Sequence, residues 1–224
     1  MFSRRKLIAL IETIAVFAWL FFCIWFVMPG GSLSIQITAI VATVLFVSLS
    51  QFLRRETWRT MGLDAKWFLP SLWRAGVIAL PGTGGMWLAG YLSGSVGVGV
   101  IAFAVIAFFY GFWGFIQQYL FLSYFSRRLR IFPGNRIVVA LVTAAMFSVV
   151  HLPIVILAAV TFVFGFVAAF IFYERPNLYA LALAHGLLGA AFYNFLPGTL
   201  TGRIEGGSGL LQIPFDILHH ISRL

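Results

Sequence analysis

The stretch Ala144-Ala145-Met146-Phe147-Ser148-Val149-Val150-His151-Leu152 places a histidine inside an otherwise apolar segment. A second histidine, His185, lies in a later apolar segment. Ionisable side chains within a membrane segment are costly, so they usually face a protein interior or a water-filled cavity and mark a functional site. The two histidines therefore predict a polar centre inside a membrane-embedded protein.

The composition defines the class of protein. Apolar residues make up 62% of the 224-residue chain, charged residues make up 9%, and the mean hydropathy is +1.01. Water-soluble domains average about 25% charged residues. The chain is therefore predicted to be an all-α, polytopic integral membrane protein, which excludes a water-soluble globule.

Apolar runs long enough to cross a bilayer recur along the chain. Because a transmembrane helix needs roughly 20 apolar residues, we predict about seven transmembrane helices. They lie near residues 7–28, 33–53, 72–94, 97–126, 137–152, 154–173 and 178–196. The first run is longer than the apolar core of a signal peptide, which is on the order of 7–15 residues, so we interpret it as a retained helix.

Basic residues cluster between alternate spans. The N-terminus (three), residues 54–74 (five), 127–136 (four) and 174–177 (one) contain thirteen of the fifteen Lys and Arg residues. Cytoplasmic loops carry an excess of Lys and Arg. We therefore predict an integral protein of a prokaryotic cytoplasmic membrane with its N-terminus in the cytoplasm. The net charge of +9 is a topology signal on this interpretation and does not indicate a nucleic-acid partner.

Two local patterns refine this interpretation. Basic residues and tryptophans alternate from Arg54 to Trp73, which predicts an interfacial segment at headgroup depth. Pro81-Gly82-Thr83-Gly84-Gly85 predicts an interruption of the third span. The interruption is either a substrate-facing kink or a place of close helix packing around small residues.

Adjacent amides in the fourth span point to the same polar centre. Gln117 and Gln118 each bring two donors and a carbonyl acceptor into an apolar setting, so they need partners. His151 and His185 are candidate partners on other spans. Residue types alone leave two alternatives open, an active centre or interhelical hydrogen bonds that contribute about 0.6 kcal/mol each.

The order of these residues resembles the CPBP intramembrane protease family, which includes the type II CAAX prenyl endopeptidases. That family carries Glu-Glu-x-x-x-Arg, Phe-x-x-x-His and His-x-x-x-Asn on successive helices. The matching succession is Gln117-Gln118-x-x-Phe121, Phe147-x-x-x-His151-Leu152-Pro153, Phe164-Gly165-Phe166 and His185. The resemblance implies a family-like core near residues 97–196. Since no segment is long enough to form a separate soluble domain, we predict one membrane domain over residues 1–224, with a flexible, glycine-containing tail at 197–224.

The resemblance also implies roles for individual residues. In the family the first glutamate activates a water that attacks a peptide bond, and the histidines and asparagine bind the water, a metal or the oxyanion. Gln117, His151 and His185 are thus the candidate catalytic residues, with Gln118 and Phe147 as secondary site residues. His151 and His185 are also the candidate ligands of a divalent metal such as zinc.

This chain departs from the family pattern at three positions. Both glutamates are glutamine, the arginine position is Leu122, and the asparagine position is Gly189. An amide cannot serve as a general base, so His151 or His185 is the candidate base. Loss of the arginine together with the glutamates indicates a natural variant of the centre, because a lone buried charge is expensive.

The polar residues outside the motifs are poor substitutes for those that are missing. Glu12, in the first span, is the one acid that could replace the base, although an acid so placed more often reaches the interface or pairs with Arg5. Asn194 lies on the opposite helix face from His185 and does not replace the asparagine. The adjacent His219 and His220 are interpreted as solvated tail residues.

Three functions are compatible with these features. The first is an intramembrane peptidase with an altered centre, which cleaves membrane-associated, prenylated peptides. The second is a non-catalytic relative that binds hydrophobic or lipidated peptides in the same cavity. The third, which no specific residue favours, is a transporter or lipid-handling protein.

Overall fold

The computed structural model describes residues 4–132 and 135–201, which form helices joined by short turns, with no strand among them. The helices in chain order are α1 (Arg4–Phe22), α2 (Leu33–Leu53), α3 (Trp58–Met61), α4 (Phe68–Leu92), α5 (Val100–Gln118), α6 (Arg136–Val149), α7 (Val155–Glu174) and α8 (Leu178–Phe195). Helix α1 continues as a π-helical turn, Cys23–Val27, and α5 continues as a π-helical segment, Tyr119–Ser126. The all-α fold is therefore confirmed.

Five helical segments of the described chain are long and apolar enough to cross a membrane. They are Lys6–Val27, Leu33–Leu53, Val100–Leu129, Val155–Glu174 and Leu178–Phe195. Helix α6 has 14 residues. At about 1.5 Å per residue its length is about 21 Å, less than the ~30 Å hydrocarbon core. The helical membrane bundle is confirmed, whereas the count of about seven spans stays a prediction.

Helix α4 runs without a break through Pro81, so the predicted interruption at residues 81–85 is wrong. Proline removes one backbone donor, but the rest of the hydrogen-bond ladder continues the helix on both sides. A Cβ added at Gly82 would lie 2.9 Å from Cδ2 of Leu188 in α8. The small residue therefore serves close packing of α4 against α8.

Glycines also bring α5 and α8 together. A Cβ at Gly186 would lie 2.6 Å from the carbonyl oxygen of Ala107 and 2.7 Å from the backbone nitrogen of Gly111. A Cβ at Gly114 would lie 2.9 Å from Cγ of His185. Small residues let helix backbones approach closely. Gln118, one turn after Gly114, can therefore contact His185, the neighbour of Gly186, directly.

Helices α6 and α7 form an antiparallel hairpin around the turn that contains His151. The chain reverses between Val149 and Val155, and Leu152–Pro153 is a cis peptide bond. The Ser148 hydroxyl donates to the carbonyl of Ala158 at 2.7 Å across the hairpin. This reversal places the half-buried His151 at the end of a helix too short to span, beside the buried ring of Phe147.

The predicted basic segments meet at one end of the bundle, called the ionic end here. It contains Glu12 of α1, Arg54 at the end of α2, Glu56 before α3, and Arg127 and Arg128 after the π-helical segment. Arg54 pairs with Glu12, Arg128 with Glu56, and Arg127 with Glu56 at 3.0 Å. Pairing across the helix ends confirms that these segments share one side, while its assignment to the cytoplasm stays a prediction.

The hairpin and the interfacial segment join the same end. Arg136 and Arg74 both pair with Glu174, at 2.5 and 2.6 Å. The backbone N–H of Leu178 donates to the carbonyl of Gly62, whose φ of +81° suits glycine. These contacts align the starts of α6 and α8 with the end of α7.

Some predictions fall outside the described residues. Beyond the helical turn Gly198–Thr201 the predicted tail lies outside the described chain, and so do His219 and His220. The side chain of Arg5 is likewise outside it. The described partners of Glu12 are Arg54, Arg128 and the Ser50 hydroxyl.

Candidate functional site

Gln118 and His185 form the centre of the site, on the facing sides of α5 and α8. The amide Nε2 of Gln118 lies 2.9 Å from Nδ1 of His185, and the residues are 1% and 7% exposed. With the amide in this orientation Nδ1 accepts, so the neutral imidazole carries its proton on Nε2. The amide therefore selects the tautomer of His185.

One atom of the Gln118 amide has no partner in the described part of the chain. Its carbonyl oxygen Oε1 is buried and accepts no hydrogen bond there. Such an orphaned acceptor carries a desolvation penalty of about 1–3 kcal/mol. It would be satisfied by a donor from outside the protein, such as water or a peptide N–H.

His151 is oriented by its own helix. Its Nδ1 lies 2.6 Å from the backbone carbonyl oxygen of Phe147, four residues earlier in α6. A carbonyl oxygen only accepts, so Nδ1 carries the proton of the neutral ring. The other nitrogen, Nε2, consequently keeps its lone pair.

The ring of Phe147 connects the two histidines. Its centroid lies 4.8 Å from that of His151 and 5.7 Å from that of His185, both in edge-to-face geometry. Phe164 of α7 covers His185 from another side at 5.5 Å. Close approach is possible because a Cβ at Gly165 would lie 3.0 Å from the Phe147 ring. Both imidazoles therefore contact one aromatic side chain.

Gln117 is placed differently from its neighbour. It is partly buried, and its side-chain amide makes no hydrogen bond to any described residue. Successive helix residues point about 100° apart, so only one of two adjacent amides can face α8. The structure thus brings together Gln118, Phe147, His151 and His185, whereas the side chain of Gln117 bonds none of them.

Tyr110 occupies the place where a side chain at position 189 would stand. A Cβ added to Gly189 would overlap its ring, and the centroid of that ring is 6.5 Å from His185. Sequence reasoning did not single out Tyr110. The available signal was its position eight residues before Gln118, on the same side of α5 as Gly114. As expected, Asn194 turns to its own helix and donates to the carbonyl of Ala190 at 2.8 Å.

The described residues do not make a zinc site by themselves. No group of three His, Cys, Asp or Glu residues that could hold a metal lies within residues 4–132 and 135–201. Catalytic zinc is typically held by three protein ligands, and the centre offers the two imidazoles of His151 and His185. A divalent metal at this centre stays a prediction.

A polar network leads from the site to the ionic end. Tyr119, the residue after Gln118, donates to Oε1 of Gln51 at 2.5 Å and also bonds the Ser48 hydroxyl at 2.9 Å. The amide of Gln51 donates to the carbonyl of Ser123 at 2.9 Å. These bonds attach the π-helical segment to α2. They hold the end of α5, and with it Gln118, in position.

Comparison with known families identifies the helices that carry this site. The family described as type II CAAX prenyl endopeptidase Rce1-like matches residues 98–191. Residues 98–191 of the chain are therefore similar to the CAAX protease family. The matched segment contains Gln117, Gln118, Phe147, His151 and His185, which confirms the resemblance seen in the sequence. No curated protein and no solved structure matches the chain.

Helices α1 to α4 precede the Rce1-like segment. They nevertheless contribute to its surroundings, because Glu12, Gln51 and Glu56 bond residues of the π-helical segment and the turn that follows it. The apolar helices and the match to the Rce1-like family support an integral membrane protein. Such a protein contacts membrane lipids.

Proposed function

We propose that the chain is an intramembrane peptidase in which a histidine replaces the carboxylate base. Its substrates are membrane-associated peptides, prenylated peptides among them, as the Rce1-like segment suggests. No carboxylate of the described chain bonds the centre formed by Gln118, Phe147, His151 and His185. Peptide hydrolysis there requires a proton acceptor from the groups that are present.

This proposal rests on the different protonation of Nε2 in the two imidazoles. Nε2 of His151 keeps a lone pair because Nδ1 donates to the Phe147 carbonyl. Nε2 of His185 keeps a proton because Nδ1 accepts from Gln118. One ring can accept a proton while the other donates a hydrogen bond. Hydrolysis of an amide needs one group of each kind.

In the proposed reaction His151 removes a proton from a water molecule. The water oxygen attacks the scissile carbonyl, and the Nε2–H of His185 stabilises the developing oxyanion. When the C–N bond breaks, protonated His151 gives its proton to the leaving nitrogen. The products are a carboxylic acid and an amine, and His151 returns to its neutral form. The acid then loses its proton to the amine or to water.

Gln118 is a positioning residue in this scheme. Its Nε2 fixes the tautomer of His185, and its free Oε1 is available to an N–H of the peptide or to the attacking water. Gln117 has no assigned step. A carboxylate at the family position of the first glutamate is therefore not required by this mechanism.

A second function is favoured by one specific observation, the ring of Tyr110 against Gly189. It fills the place of a family residue that binds the water or the oxyanion, so the centre has fewer polar groups than the family pattern. A domain of this kind would retain prenylated or hydrophobic peptides without cleaving them.

Cleavage of a prenylated peptide by the reconstituted full chain tests the two functions. The parent is expected to cleave it, and His151→Ala is expected to abolish cleavage while peptide binding remains. Asn194→Ala is the matched control, because it removes a buried polar side chain from the same bundle that does not face the centre. Binding by the parent without cleavage would support the non-catalytic function, and equal cleavage by the parent and His151→Ala would eliminate the histidine base.

A further inference from the structure

Two apolar grooves open on the lipid-facing surface of the described bundle. The first lies between α2, α3 and α5, has a volume of about 440 Å³, and includes Glu56 in its wall. The second lies between α4 and α8, has a volume of about 820 Å³, and is lined by apolar residues and glycine. The second groove is the larger one and has no carboxylate in its wall.

The groove between α4 and α8 begins at the ionic end of the bundle. Leu69 lines its start and Pro81 lies further along α4, while Leu183 and Leu187 form the α8 side. Gly76 lies in the middle of the α4 wall, and no atom stands within 4 Å of a Cβ added there. The groove is therefore an open, elongated space parallel to the two helices, of a shape that suits a hydrocarbon chain.

Two cations stand beside the start of this groove on a single indole ring. Nζ of Lys66 lies 4.9 Å and Cζ of Arg175 lies 5.5 Å from the ring centroid of Trp67. The carbonyl of Arg175 accepts a hydrogen bond from the Ser71 hydroxyl of α4 at 2.8 Å, which fixes its backbone beside the groove. Lys66 precedes Leu69 by three residues, about one helical turn.

These cations differ from the other basic residues of the same end. Arg74 and Arg136 both form ion pairs with Glu174. In contrast, neither Lys66 nor Arg175 forms an ion pair with a carboxylate of the described chain. Glu174 and Asp64 act on Arg175 and Lys66 through space, but these two carboxylates face five cations, Arg59, Lys66, Arg74, Arg136 and Arg175. A net positive charge therefore remains where the apolar groove reaches headgroup depth.

We propose that the groove between α4 and α8 binds an anionic phospholipid of the surrounding bilayer. The phosphate lies at Lys66 and Arg175, and one acyl chain lies along the groove past Gly76. Basic pockets between transmembrane helices bind anionic lipid headgroups in this way. The first groove suits such a lipid less well, because the nearby cations Arg127 and Arg128 are already paired with the Glu56 carboxylate in its wall. The site is separate from the centre at Gln118, and it does not depend on peptidase activity.

The test measures binding of phosphatidylglycerol and phosphatidylcholine to the purified full chain, by native mass spectrometry at two salt concentrations. The parent is expected to retain phosphatidylglycerol preferentially, with a preference that falls as salt screens the charges. Each cation near an anionic headgroup contributes about fivefold in binding, so Lys66→Ala with Arg175→Ala is expected to reduce the preference roughly 25-fold.

Groove variants separate the acyl-chain contact from the headgroup contact. Gly76→Leu fills the open space and is expected to remove retention of both lipids. Gly85→Leu is its control, since position 85 of the same helix is equally open but does not line the groove. Arg59→Ala is the charge control, because Arg59 is exposed and pairs with Asp64.

Specific results would overturn the proposal. One is a parent that retains the two lipids equally, and another is a Lys66→Ala/Arg175→Ala variant with an unchanged preference. Binding of a prenylated peptide that is lost in Gly76→Leu, together with no preference between the phospholipids, would assign the groove to peptide lipid anchors instead.

Discussion

The centre at Gln118 and the ionic end both bury polar side chains, but these side chains are stabilised in different ways. At the centre, buried polar groups are neutral and make single hydrogen bonds, as Nε2 of Gln118 does with Nδ1 of His185. At the ionic end, Arg128 is only 2% exposed but carries a full charge, which Glu56 and Glu12 compensate. A buried charge is tolerated only when an opposite charge and hydrogen bonds accompany it.

The difference explains why the centre lacks carboxylates. The position where the family pattern has an arginine is Leu122, a buried apolar residue of the π-helical segment. A glutamate at 117 or 118 would have no adjacent cation from that position. The cations nearest to this position are Arg127 and Arg128, which follow the π-helical segment. Carboxylates of α1 and of the segment before α3 pair with them there.

The largest expected effect concerns the chemistry of the centre. His151→Ala removes the proposed base and should lower the rate of peptide cleavage by about 10²–10⁴-fold, because general bases contribute that much. Initial rates with a prenylated peptide measure the change. Gln117→Glu should alter the rate by less than tenfold; a gain comparable to the loss in His151→Ala would show that a carboxylate, not the histidine, is the better base here.

The next largest effect concerns stability at the ionic end. Glu56→Ala leaves Arg128 buried without its main partner and should lower the free energy of unfolding by about 3–5 kcal/mol. Arg59→Ala breaks the exposed pair with Asp64 but leaves the hydrogen bond from the Lys66 backbone to Asp64 in place, and it should cost far less. Denaturant titration in detergent compares the two variants. Equal losses would mean that burial of Arg128 does not determine the strength of its pair.

A smaller effect is expected from the amide of the centre. Gln118→Leu leaves Nδ1 of His185 without its donor and should destabilise the fold by about 1–3 kcal/mol. Gln117→Leu removes an amide that bonds no described residue, and it should be nearly neutral. The order of the two unfolding free energies is the measurement. The reverse order would place Gln117, rather than Gln118, in the centre.

The smallest expected effect is the difference in stability between alanine substitutions at two glycines. Gly189→Ala forces a methyl group into the ring of Tyr110 and should cost about 1–3 kcal/mol through overpacking. Gly84→Ala adds a methyl group where no atom lies within 4 Å, and it should be neutral or stabilise the helix by up to about 1 kcal/mol. Thermal unfolding of both variants measures this contrast. A tolerated alanine at 189 would show that Tyr110 can move aside.

Local patterns predicted the elements well but not the contacts between them. The apolar run at 33–53 coincides with α2, since a long hydrophobic run needs no tertiary information to be recognised. The interruption predicted at Pro81 in α4 was wrong, because whether a proline ends a helix depends on neighbours that cover the freed carbonyl. Among the site residues, the motifs singled out Phe147, His151 and His185, which the structure places in contact.

Sequence by itself determined the membrane class, the helical architecture and the candidate polar residues, because hydropathy and residue type are local properties. Tertiary structure alone decided that Gln118 rather than Gln117 bonds His185, that Tyr110 fills the space at Gly189, and that Glu12 faces Arg128. These contacts join residues 67, 79 and 116 positions apart in the chain. No local pattern reports which faces of two distant helices meet, because packing of the whole bundle determines it.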